Sequence, residues 1–348
     1  MKIRNAPLRT FSFPPKADTF RPVSDRVEEL CFSDAWRPYT PLSPTEAYGA
    51  SVRPDPYAFS DPSEYRRVVL KIHADNDLDL RGLFAETLPY LAERTPTADL
   101  DDRAKVLLLE LDENITFLLL VSLKLKAYLL DDASSYRTTM AALLSAITSA
   151  LTGIRQLVST GLVLPAIQLC RPLRDIVNVA LLCVIDQDLT LRFISTTTPE
   201  VANHFWHEFL ARDKDLKAIN HAVEQHGGST AALFPHVEAD LNQMLGMMVH
   251  PSFGGGALAM ENDLLQMFLP EPGAVRGAHR PLSFSIHQVF RLLLGVFQPS
   301  VLPGRHADEL VPAADQAFVS QLRRSLAELY LFTIVRLSRT PWVNAAET

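Results

Sequence analysis

Three consecutive stretches between residues 106 and 187 repeat apolar side chains at helical spacing, and this limits the fold more than any other feature. In the first, Val106, Leu107, Ile115, Leu118, Leu119, Ser122 and Leu125 recur at that spacing up to Leu130. In the second, 135–159, the stripe is Met140, Leu143, Leu144, Ile147, Leu151, Ile154 and Val158. The third, 162–187, is apolar on most faces, and Pro165 and Pro172 are expected to interrupt its register. Such segments can bury their stripes only against one another. No run of alternating residues with turn chemistry argues for a sheet. The expected fold is all-α, a bundle of long antiparallel helices joined by short loops.

The flanks extend this reading. Asp61-Pro62-Ser63-Glu64 has the chemistry of a helix start, and that helix is expected to run to about His73. A short helix fits 81–93. Thr198-Pro199-Glu200 opens a helix that Gly227-Gly228 ends, and 230–250, 282–298 and 313–339 carry three more. Leu189 to Ser195 reads as a short extended stretch or a loop. Ten of the 24 prolines fall in residues 1–62, so 1–60 reads as an extended Pro-rich arm. Its Phe11, Phe13, Phe20, Trp36 and Tyr39 suit an arm that wraps over the body or a partner chain. The expected divisions are the arm 1–60, a helical lead-in 61–98, a bundle core 99–260 and C-terminal helices 261–348.

Composition removes several classes of function. The net charge of -7 argues against bulk coating of nucleic acid. That charge is uneven. Residues 61–135 carry 15 acids and 9 basic residues, whereas 271–348 carry 6 acids and 8 basic residues. Three cysteines in 348 residues exclude a disulfide framework. The expected location is cytoplasmic, with no membrane span. Neither a P-loop, a dinucleotide fingerprint nor a G-x-S-x-G turn is present. His204, His207 and Glu208 lie within one and a half helical turns, but in neither zincin order. No metal or other cofactor is expected. Cys31, Cys170 and Cys183 lie in apolar surroundings and read as packing residues.

Two constellations carry the chemistry. The helix through 164–178 sets Arg171, Arg174 and Asp175 within one turn of an apolar body, with Arg171 and Asp175 paired four residues apart. The segment Asn242-Gln243-Met244-Leu245-Gly246-Met247-Met248-Val249-His250-Pro251-Ser252 ends an apolar helix on a histidine. Charges and a lone histidine on apolar helices are costly unless they pair or do chemistry. The structural alternative is an Arg–Asp pair that fixes helix register, with His250 capping its helix. Met244, Met247 and Met248 also admit a ligand pocket, although such methionines are more often core filler.

An apolar helix with Arg-x-x-x-(Glu/Asp), followed about 75 residues later by a helix ending in His-x-Ser, resembles a bacterial helical family of unknown function. That family is similar to the HEPN superfamily of helical bundles, and the resemblance covers roughly 135–255. It implies a homodimer of stress or defence type, as in toxin–antitoxin systems, acting on RNA or a nucleotide as a metal-independent endoribonuclease. In that superfamily an arginine precedes the histidine by four to six intervening residues. Those positions here hold Gln243, Met244 and Leu245, so Arg171 or Arg174 would supply the cation. The other pairs at that spacing, Arg66 and Arg67 with His73 and Arg280 with His287, are no more than chance predicts. In the site so implied, His250 takes the 2′-hydroxyl proton and the arginine clamps the phosphate, with Asp175 orienting it. Asn242, Gln243 and Ser252 would bind substrate. The competing reading is a non-catalytic module that docks a protein partner.

Overall fold

The computed structural model describes residues 62–78, 100, 102–129, 134–225, 278–298, 302–305, 307–312 and 315–339. Among them there is no strand, and the fold class is all-α. The elements are α1 (Pro62–Asp75), α2 (Asp102–Leu129), α3 (Ser135–Ser159), α4 (Val163–Ile185), α5 (Gln187–Ile194), α6 (Pro199–Phe205), α7 (Lys214–Gln225), α8 (His279–Phe297), α9 (Ala307–Leu310) and α10 (Gln316–Arg339). A π-helical turn at Trp206–Leu210 and a 3₁₀ turn at Ala211–Asp213 join α6 to α7. The arm 1–60, Asp61 and the segments 81–93 and 230–250 lie outside the described residues.

The helix boundaries follow local chemistry. The Ser134 hydroxyl caps α3 by accepting from Arg137 N. At the other end Leu162 N donates to Leu157 O at 2.8 Å and Gly161 N to Val158 O at 3.0 Å. This is a Schellman turn, and its left-handed position is filled by Gly161 at φ 81°. α4 then runs without interruption, contrary to the break expected at its prolines. Pro165 sits in the first turn, where no hydrogen bond is lost. The ring of Pro172 is exposed, so the missing bond falls on the solvent side. Leu189 to Ser195 is helical rather than extended or looped, because the Asp186 carboxylate accepts from Asp188 N and Leu189 N and starts α5. The helix expected from Thr198 to Gly227 is instead broken at 206–213. There Arg212 and Asp213 take left-handed conformations, with φ 62° and 55°.

α4 is central. It packs on α3 and α8 and also meets α5 and α7, while α2 closes the layer against α3 and α8. Val177, Ala180, Cys183 and Val184 on α4 and Leu144, Ile147, Leu151 and Ile154 on α3 are all essentially inaccessible. Gly295 lets α8 approach α4, since a Cβ there would meet Leu181 Cδ2 at 2.3 Å. A buried bidentate pair ties α3 to α2: Arg155 Nε donates to Asp112 Oδ1 at 2.8 Å and Nη2 to Oδ2 at 3.2 Å. Tyr136 and Arg137 on α3 donate to Arg305 O and Leu310 O, which holds the 302–310 segment on the bundle. α3 is the one described helix long and apolar enough to cross a membrane, with a mean hydropathy of 1.3 over its most apolar window. Half of that window is buried in the protein, as for the core helix of a bundle.

Candidate functional site

The third apolar stretch does bring its charges together. Arg174 Nη2 and Nε donate to Asp175 Oδ1 at 2.8 and 3.1 Å, and Arg171 Nε donates to Asp175 Oδ2 at 3.4 Å. The two arginines differ in what they offer solvent. The Arg174 side chain is 2% exposed, and that of Arg171 is 28% exposed. Their shared carboxylate is partly accessible. A phosphate in water could therefore reach Arg171 but not Arg174.

One turn further along α4 the polar surface continues inward. Asn178 Nδ2 donates to Asp215 Oδ2 of α7 at 2.6 Å. Asn178 Oδ1 in turn accepts from Arg291 Nη1 of α8 at 2.7 Å, and the same nitrogen lies 3.4 Å from Gln288 Oε1. Asn178, Asp215 and Gln288 are fully buried and Arg291 nearly so. Burial pushes the Asp215 carboxyl above the usual carboxylate range, while the Asn178 hydrogen bond and the positive charge of Arg174 pull it back. Burial, with Arg291 beside it, pushes the His287 imidazole down to about 4. Among the described residues Arg174 Nη1, Asp215 Oδ1 and Gln288 Nε2 are buried without a hydrogen bond. The sequence reading named none of Asn178, Asp215, Gln288 or Arg291 as site residues. For Asn178, Gln288 and Arg291 the one advance signal is a polar residue on a largely apolar helix, and Asp215, on the polar helix KDLKAINHAVEQ, carries none.

A second feature is open to solvent. Between α5 and α6 lies a groove of about 270 Å³ lined by Arg192, Ser195, Thr196, Val201, His204, Phe205, Glu208 and Phe209. The rings of Phe193, Phe205 and Phe209 stack edge-on and tilted beneath it, with centroids 5.6 and 4.9 Å apart. Arg192 lies over the Phe209 ring at 5.3 Å and pairs with Glu208. His204 Nδ1 is 3.5 Å from Glu208 Oε2. His204 and Phe205 at the end of α6 and Glu208 and Phe209 in the π turn, spaced four residues apart in pairs, all line this groove. No group of three metal-ligating side chains occurs among the described residues, which include His204, His207 and Glu208.

The remaining sequence-derived candidates, His250, Asn242, Gln243 and Ser252, together with Met244, Met247 and Met248, lie outside the described residues. Cys170 and Cys183 are buried thiols. Burial raises both, Cys183 to about 12, which keeps them protonated and poor nucleophiles. No family model, no curated protein and no solved structure matches this chain.

Proposed function

We propose that this chain works as a non-catalytic helical interaction module. The observation that carries this reading is the state of Arg174. Its Nε and Nη2 are committed to Asp175 and its side chain is only 2% exposed, so the strongest charged constellation of the sequence is turned mostly into the bundle. A phosphate clamp must instead face the ligand with its donors uncommitted. Four of the exposed large apolar side chains among the described residues, Leu191, Ile194, Val201 and Trp206, fall instead in the segment 191–206, and Val201 lines the α5–α6 groove.

A second reading is retained for two observations. Arg171 and Asp175 are partly open to solvent, and Arg174 Nη1 lacks a hydrogen bond among the described residues. On this reading the chain is a HEPN-like, metal-independent endoribonuclease of bacterial stress or defence, with Arg171 as clamp and His250 as base. Labelled single-stranded RNA incubated with the purified full chain separates the two. The module reading expects intact RNA. Cleavage that disappears in both His250→Ala and Arg171→Ala, with folding retained by circular dichroism, overturns it.

A further inference from the structure

The segment 199–210, which is α6 and the π turn that follows it, buries a single residue, Phe205. By contrast, α3 and α4 each bury more than half of theirs. A stretch with so little buried apolar surface opens locally at a far lower cost than the core does.

The fastenings of this segment lie at the surface. The Phe205 ring sits between those of Phe193 on α5 and Phe209 in the π turn, with centroids 5.6 and 4.9 Å away. Glu208 pairs with Arg192 of α5, and the two side chains are 40% and 57% exposed. Lys214, the first residue of α7, donates from Nζ to His207 O at 2.9 Å and to Glu208 O at 3.1 Å. Carbonyls near a helix end need such outside donors. An exposed ion pair is worth at most about 1 kcal/mol, so these links are easily undone.

Both ends of the segment are irregular. Residues 195–198 lie between α5 and α6 without helical structure. At the other end Arg212 and Asp213 are left-handed, with φ 62° and 55°. Each such residue costs about 1–2 kcal/mol, so the turn holds strain while the segment is seated. Just beyond it Asp215 is anchored to Asn178 of α4 at 2.6 Å. That bond fixes the start of α7 and leaves the 212–213 turn as the point about which the preceding segment can move.

We infer that 199–210 is a flap that opens as one unit between hinges at 195–198 and at Arg212–Asp213. Opening undoes the Glu208–Arg192 pair and the Lys214 bonds, draws Phe205 away from Phe193, and lets the left-handed pair relax. When seated, the flap closes the α5–α6 groove at about 270 Å³, with Phe205 and Phe209 in its lining and Phe193 behind them. When open, it presents all three rings. The aromatic face of this region is therefore gated. The inference goes beyond the interaction-module reading and stands whether or not that reading does.

Hydrogen exchange of the full chain at low urea, read by mass spectrometry, tests this. A helix as short as α6 has no stability of its own, so opening unwinds it and its amides report the event. The amides from Val201 to Leu210 are expected to share one opening and to exchange roughly a hundredfold faster than those of α3 and α4. The α7 amides, behind the Asp215 anchor, stay protected. Lys214→Ala and Glu208→Gln are each expected to speed flap exchange by roughly fivefold and to leave α3 and α4 unchanged. Lys217→Ala, an exposed change on α7, is expected to have no effect. Flap amides that exchange only with the core overturn the inference. So does graded fraying with no shared opening, an opening that takes α7 with it, or a rate indifferent to both flap variants. Cleavage of RNA decides the module reading separately, since it does not enter this measurement.

Discussion

Asn178 of α4 donates to the carboxylate of Asp215 of α7 across 2.6 Å, and this bond joins residues 37 positions apart in sequence. It lies just after the left-handed pair Arg212 and Asp213. The strained turn re-aims the chain, and the bond holds the result. Asp215 is fully buried, and its carboxyl is raised by that burial. Its ionised form is thus less comfortable in the fold than in the unfolded chain. Asp215→Asn keeps an acceptor for Asn178 and removes the buried charge, so it is expected to leave the melting temperature at pH 7 unchanged or higher. Asn178→Ala strips a partner from both Asp215 and Arg291, and is expected to cost about 2–3 kcal/mol. Thermal melts of the two variants check this ordering, and the reverse order would refute it.

The Arg155–Asp112 pair behaves differently, because both partners sit in the core between α2 and α3 at 5% and 9% exposure. Breaking a buried pair strands a charge and typically costs about 3–5 kcal/mol. Asp112→Ala is expected to cost that much in urea denaturation. The double change Asp112→Leu with Arg155→Met removes both charges and should recover most of the loss. A double variant no better than the single would mean that geometry, and not charge burial, sets the cost.

What the sequence revealed, and what it hid, divides along one line: whether the cause is local. The span 135–159 was readable because a clean apolar stripe, Ser134 as cap and Gly161 as stop are all local. The segment 189–195 reads as extended or a loop because eight residues show too little periodicity to mark a helix, and the Asp186 cap is what starts one there. The break at 206–213 contains neither glycine nor proline, so propensity gave no warning of it. On the site side, Arg171, Arg174 and Asp175 share one helical turn, and their contact follows from spacing alone. Asp215 and Arg291 reach Asn178 from 37 and 113 residues away, and only tertiary packing brings them there.

Gly304 supplies a backbone test of how the C-terminal segment docks. It adopts φ 121°, and a Cβ there would lie 2.1 Å from Val184 O. The next residue donates from Arg305 N to the same carbonyl at 2.8 Å. Gly304→Ala therefore meets both a forbidden conformation and a backbone collision that no rotamer relieves. The expected cost is about 2–3 kcal/mol, with loss of protection at the Arg305 amide in hydrogen exchange. A variant as stable as the wild type would show that the 302–305 turn is not held against α4.

Acid should weaken this fold through two histidines. Burial against the Phe117 ring holds His73 down to about 4, with Nδ1 2.6 Å from the Ser325 hydroxyl, and His287 is likewise lowered to about 4. Between pH 6.5 and 4 the unfolded chain binds protons that the folded chain refuses. Stability is therefore expected to be full above about pH 6.5 and to fall by up to about 1.4 kcal/mol per pH unit per histidine down to about pH 4. Asp215 works in the opposite sense. Its raised carboxyl favours the fold as protons return, so it offsets part of the loss. Urea denaturation at pH 7.5, 6 and 5 measures the slope. His73→Asn, which cannot take up a proton, is expected to flatten it by about half, and a slope unchanged in that variant would remove His73 from the acid response.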